Sequence, residues 1–233
     1  MAFLALLLLR AVISLPAAQL RTPIRVRKLS PVRILGSAVL ATALLGSGVA
    51  HAEGLSAAET ARLMRGEAVS RAQQIDRGRQ HYVGGVTYEI VDAAPQDLSA
   101  LVDDVASWRR FLPRTRDVQR VGEREGDSLV EMTHGSTLLQ VAYTLRFHRD
   151  GNEVRFWMDR TRAHDIDDAW GFLRAEPMPD GRTLLTWGIM VDMGPGLLRD
   201  LFEPKVQALA LTVPERVKDV VVERAARGQR AAR

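Results

Sequence analysis

The string HDIDD, residues 164–168, sets carboxylates at alternate positions beside a histidine, and groups so spaced can converge on a hard cation. It lacks the glycine and the distal glutamate of a calcium loop, so it reads as a solvated β-turn and no metal is expected. His81, His134 and His148 stand singly and suit surface or strand positions, although His134 lies near a turn where a cavity mouth could open. No G-x-S-x-G nucleophile elbow occurs, which removes the α/β-hydrolase class. The chain has no Cys, so thiol catalysis, disulfides and lipid attachment through cysteine are excluded. Without a P-loop or a dinucleotide fingerprint, no nucleotide cofactor is expected, nor any other cofactor.

Aromatic side chains are the remaining candidates. Tyr143, Phe156 and Trp187 fall on the apolar phases of three strand-like segments, and Trp108 falls on a helical stripe. Core packing accounts for each of them, because a domain of this size needs such residues to fold. If a cavity forms, several of them line it, and Tyr143 and Trp187 bring a polar handle that could orient a ligand. Arg146, His148 and Arg155 fall on the opposite phase, which argues against acid–base catalysis inside such a cavity.

The elements that must position these residues follow from local pattern. SAAETARLMR reads as a short helix capped by Ser56 with Glu59 three residues on, ended by Gly66. EAVSRAQQI gives a weak strand signal and HYVGGVTYEIVD a stronger one, with Gly84 and Gly85 suggesting a bulge or bend. From Pro95, the residues Leu98, Leu101, Val102, Val105 and Trp108 recur at helical spacing, which predicts an amphipathic helix broken near Ser107 and stopped by Pro113. Residues 116–193 read as an antiparallel meander, clearest where Leu139, Val141, Tyr143, Leu145 and Phe147 alternate with polar or small residues. A long apolar stripe after Gly194-Pro195-Gly196 predicts a C-terminal helix, with Thr212 and Glu215 marking a kink or restart.

Residues 34–50 are uncharged and follow the basic Arg25, Arg27, Lys28 and Arg33, and Ala50-His51-Ala52 fits an A-x-A cleavage rule. Residues 1–52 therefore read as an export leader cleaved near Ala52, giving a periplasmic or secreted protein; an inner-membrane anchor through residues 34–50 is the alternative. The earlier run AFLALLLL suggests a start assigned too far upstream. Six of the 32 basic residues and none of the 28 acidic ones lie in residues 1–52, which leaves 26 against 28 and a formal net charge of −2. The apparent basicity belongs to the leader, so a nucleic-acid partner is not implied. Arg224, Arg227, Arg230 and Arg233 leave two readings open: peripheral contact with anionic lipid head groups, or a solvated, frayed helix end.

The strings VDAAPQDLSALVDDVASWRRFLP, EPMPDGRTLLTW and GPGLLRDLF, in that order, resemble the START-like superfamily, which includes polyketide cyclases, coenzyme Q-binding proteins and lipid-transfer domains. The resemblance runs from about residue 84 to residue 222 and implies an α+β helix-grip fold, a curved antiparallel sheet wrapped around a long C-terminal helix. It also implies a cavity between them, for which Trp108, Tyr143, Leu145, Phe156, Met158, Trp187, Ile189, Leu209 and Val213 are the expected lining. The expected organisation is a leader (1–52), an N-terminal helix and lead-in (53–83), the START-like domain (84–226) and a basic tail (227–233). The expected role is an exported monomer that binds a lipid or quinone-like molecule. A cyclase, aromatase or dehydratase, and an envelope interaction module, are the alternatives.

Overall fold

The computed structural model describes residues 54–231 except Leu138. The leader with both its apolar runs, and Arg233 of the basic tail, lie outside the described residues. Among the described residues no helix is long and apolar enough to cross a membrane.

Helix α1, Ala57–Met64, is set by the capping box read in the sequence: the Glu59 backbone N–H donates to Ser56 Oγ (3.2 Å) and the Ser56 N–H to Glu59 Oε2 (2.8 Å). Glu59 also accepts from Arg71 of strand β1, Val69–Arg77, which ties the helix to the sheet edge. That hydrogen bond, with those from Ser56, draws the Glu59 carboxyl down to about 2. The weak EAVSRAQQI signal is thus a real strand, paired along its length with β2, Gln80–Val91. β2 begins ahead of residue 84 and carries the 53–83 segment into the same sheet.

Gly84 and Gly85 make no bulge, because pairing runs through them without a register shift on either side. Their role is close approach: a β-carbon at Gly84 would overlap the carbonyl oxygen of Ile189, and one at Gly85 that of Arg71. The register shifts lie instead between β3, Thr115–Arg124, and β4, Asp127–Gly135.

Between β2 and β3 the chain forms α2, Pro95–Asp103, a 3-10 turn over Val105–Ser107, and α3, Trp108–Phe111, so the expected break at Ser107 is present. Strands β5, Gln140–Asp150, β6, Glu153–Met158, β7, Asp168–Pro177, and β8, Thr183–Asp192, complete the meander. The eight strands form one antiparallel sheet in the order β1-β2-β8-β7-β6-β5-β4-β3. The first hairpin is therefore stitched to the last strand, and the helical connection spans from the inner strand β2 to the far edge strand β3.

Two helices close the fold: α4, Leu197–Leu211, and α5, Val213–Ala231, with the restart at Thr212. α4 packs on β2, β1 and β8, and α5 on α3, β2 and β8. The break leaves carbonyls at the joint without helical donors. Pro214 has no N–H for the carbonyl of Ala210, and Trp187 Nε1 donates to it instead (2.9 Å). Thr87 Oγ1 donates to Leu211 O at 2.9 Å, so sheet side chains hold the joint in place.

α4 is also latched at its first half. His81 on β2 sits with Nδ1 2.6 Å from Asp76 Oδ1 and Nε2 3.3 Å from Glu203 Oε1 of α4. The hydrogen bond to Asp76, against burial and with help from Glu203, raises the His81 pKa. A raised histidine pKa contributes stability in full below the unfolded value near 6.5, and loses it as pH rises through the folded value. His81→Asn is accordingly expected to unfold more easily than the parent at pH 5.5, by roughly 0.5 kcal/mol because Asp76 is mostly exposed, and equally at pH 9. Thermal unfolding at the two pH values checks this; an equal deficit at both would show that His81 acts by packing alone.

Candidate functional site

The inner face of the sheet and the helices do not meet everywhere. A twisted, curved sheet cannot lie flush along a helix pair that bends at Thr212, and the gap is a cavity of about 380 Å³. Its wall is assembled from α3, β4 to β8, α4 and α5.

An aromatic ribbon runs along this wall. Trp108 packs on Phe147 (ring centroids 4.8 Å), Phe147 on Phe156 (5.6 Å), and Phe156 stacks on Trp187 (5.1 Å). Gly171 makes room for it, since a β-carbon there would overlap the Phe156 ring. Trp108 is fixed by its Nε1–H donating to Val102 O at 2.8 Å. Opposite the ribbon, Phe202, Val206 and Leu209 of α4 and Val213 of α5 face the same space.

Of the nine residues expected to line a cavity, Trp108, Tyr143, Leu145, Phe156, Trp187, Ile189, Leu209 and Val213 lie on this wall. Met158 does not. It shares the phase of Phe156 but ends β6, where the chain leaves the sheet at Asp159, and it is buried in the core while Ile166 of the following connection reaches the cavity. Trp187 also departs from expectation as a polar handle: its N–H is committed to Ala210, so it offers a ligand only its ring face. Trp187→Phe keeps the ring but leaves that carbonyl buried and unpaired, and is expected to cost about 1 kcal/mol in urea unfolding. Adding Pro214→Ala, which returns an N–H four residues on, is expected to recover part of the loss; a neutral Trp187→Phe would contradict the assignment.

Two polar groups enter the otherwise apolar wall. Burial holds the Tyr143 hydroxyl well above its ordinary value, and it has no hydrogen-bond partner among the described residues. Tyr143 is half-buried and lines the cavity. The His134 ring stacks on Tyr143 at 5.5 Å, with Nδ1 3.4 Å from Pro113 O and 3.2 Å from Thr115 Oγ1. A carbonyl only accepts, so the proton sits on Nδ1, and Nε2 is a buried acceptor without a partner among the described residues. Burial lowers the His134 pKa, which keeps the ring neutral at pH 7.

The other candidates lie elsewhere. Arg146 and His148 both bond Asp127, and Arg155 bonds Glu153; none of the three reaches the cavity. HDIDD is a solvent-exposed bend at His164, Asp165 and Asp167, as expected from its polarity, but its last residue is not part of a turn: Asp168 opens β7, is buried, and accepts from Tyr82 (2.7 Å) and Arg160 (2.6 Å). Asp165 Oδ2 accepts from the Ala142 N–H and His164 Nδ1 donates to Ile166 O, so the group diverges. Among the described residues no three His, Asp or Glu side chains converge as a metal set.

Sequence reasoning did not find Arg114 or Lys205, which line the cavity where it meets solvent, nor the Phe202 and Val206 wall of α4. Arg114 has φ 56, a left-handed conformation that nothing in an arginine announces.

No family model matches the sequence, and no curated protein does. Among solved structures, a protein from Thermus thermophilus matches with a TM-score of 0.51 at 16% identity, over 61% of this chain and 97% of that one. The STAR-related lipid transfer protein fragment from Xanthomonas axonopodis matches with a TM-score of 0.52 at 12% identity, over 65% of this chain and 92% of that one. At such identities the likeness is one of fold: the chain shares with these two structures an α+β fold in which an antiparallel sheet packs against C-terminal helices.

Proposed function

We propose that this protein is an exported binding protein that holds or carries a hydrophobic small molecule, a lipid or quinone-like compound, between the sheet and the C-terminal helices. The observation that carries the proposal is the 380 Å³ cavity with its aromatic ribbon, of a size and polarity suited to a small apolar ligand. The fold shared with a lipid transfer protein agrees with it. Export rests on residues 25–52 of the sequence, and amino-terminal sequencing of the mature protein is expected to begin at Glu53. An intact leader in the membrane fraction would favour the anchored alternative.

The direct test is a titration with N-phenyl-1-naphthylamine, whose fluorescence rises in apolar surroundings. One saturable site per chain is expected; a linear, unsaturable response would overturn the proposal.

A second reading, a cyclase- or dehydratase-like enzyme, is favoured by one observation, the neutral His134 beside Tyr143 on the cavity wall. A neutral imidazole can accept a proton, but burial makes Tyr143 a weak acid, so the pair lacks an efficient proton donor at pH 7. Binding without turnover is therefore the better supported function.

A further inference from the structure

Building on the binding reading above, we propose that the cavity's ligand is an amphiphile with a single anionic head, carboxylate or phosphate, held at the mouth by Arg114 and Lys205. The mouth is marked by the wall residues that are exposed to solvent: Arg114, Ser136, Leu139, Asp165 and Lys205. On the rest of the molecule arginines are widely ion-paired, Arg146 with Asp127, Arg174 with Glu153 and Arg124 with Asp159 among them. Arg114 and Lys205 have no ion-pair partner among the described residues. Lys205 rests its Nζ 5.9 Å from the Phe202 ring centroid, on the wall of the cavity itself.

Arg114 is placed by strain that the surrounding structure sustains. Its φ of 56 is held because its carbonyl accepts from the Gly135 N–H (3.0 Å) while His134 donates to the preceding Pro113 carbonyl. Both anchors belong to the end of β4, so the strand that builds the cavity wall also sets the cation at its lip. Asp165 is the carboxylate on this wall, turned to the Ala142 N–H through Oδ2, so the lip sets two cations against one anion. An apolar interior rejects charge and a cationic lip receives it, so the pair together selects a chain or ring system with an anion at one end.

Competition against N-phenyl-1-naphthylamine at low salt tests this with dodecanoate, dodecyl phosphate, 1-dodecanol and dodecyltrimethylammonium, each below its aggregation concentration. The expected result is displacement by the anions at roughly tenfold lower concentration than by the alcohol, with the cation weakest and the anion advantage shrinking in salt. An advantage for either anion supports the proposal, and the stronger one names the head. In Arg114→Asn/Lys205→Gln, where Asn tolerates the left-handed backbone, the advantage is expected to vanish while the alcohol binds as before, which also shows the variant is folded. Equal competition by alcohol and anions in the parent, or an anion advantage that survives in the variant, overturns the head-group assignment and leaves the cavity reading standing. Failure of the probe itself to bind the parent overturns both.

Discussion

Lys218→Met is expected to lower the unfolding free energy by about 2 kcal/mol, one of the two largest effects anticipated here. Glu89 lies on β2 with its side chain fully buried, and Lys218 of α5 reaches its Oε1 at 2.5 Å while also donating to Gly66 O. Burial raises the Glu89 carboxyl and the Lys218 ammonium pulls it back, so removing the lysine strands a charge in the core. Breaking a fully buried pair costs about 3–5 kcal/mol; the lower figure applies because Lys218 is 32% exposed and water screens it. For a domain of this size that is roughly 4–8 °C in melting temperature. The sign with pH is fixed: a carboxyl whose folded value is raised is tolerated better when protonated, so the deficit shrinks as pH falls through that value. Glu89→Gln/Lys218→Met is expected to recover most of the loss. A single variant as stable as the parent, or a deficit independent of pH, would remove the ion pair from the account of how α5 is held.

The second large effect is on binding. Leu209 of α4 faces the cavity and is only half-buried, because empty space lies beside it. Leu209→Trp puts an indole into that space, and the affinity for N-phenyl-1-naphthylamine is expected to fall more than about 100-fold, equivalent to roughly 2.7 kcal/mol. Stability is expected to hold, since the added volume enters a void and not a packed core. Isothermal binding and thermal unfolding on the same preparation separate the two quantities. Binding unchanged by the indole would place the probe somewhere other than this cavity.

Much of the fold was legible in local pattern. The alternation through Tyr143, Leu145 and Phe147 identified the inner face of β5, and the Thr212–Glu215 spacing marked the restart between α4 and α5. Both are short-range signals. What could not be read depended on partners far along the chain. Gly84 and Gly85 look like a bulge until the neighbouring carbonyls of Ile189 and Arg71 are known to need their space. Trp187 looks like a free polar handle until Pro214 is seen to leave Ala210 O without a donor.

The site was legible in its apolar half alone. Strand and helix periodicity brought Trp108, Phe156 and Ile189 to one face, because burial follows period. Arg114, Lys205 and the tautomer of His134 carry no period. They come together through a strained lip loop, the end of β4 and a helix nearly a hundred residues further on. Met158 erred in the opposite way: its phase was right, but it is the last residue of β6 and is buried in the core beyond the stretch, Val154 and Phe156, that lines the cavity.

The central claim is that the cavity is occupied by a hydrophobic small molecule, with or without a polar head, in the protein's native compartment. Mass spectrometry of organic extracts, from parent and Leu209→Trp protein purified side by side, tests it most directly. A reproducible hydrophobic small molecule at near one per chain in the parent, and absent from the variant, is the expected result; a parent repeatedly free of any such species, or the same species in both, would contradict it.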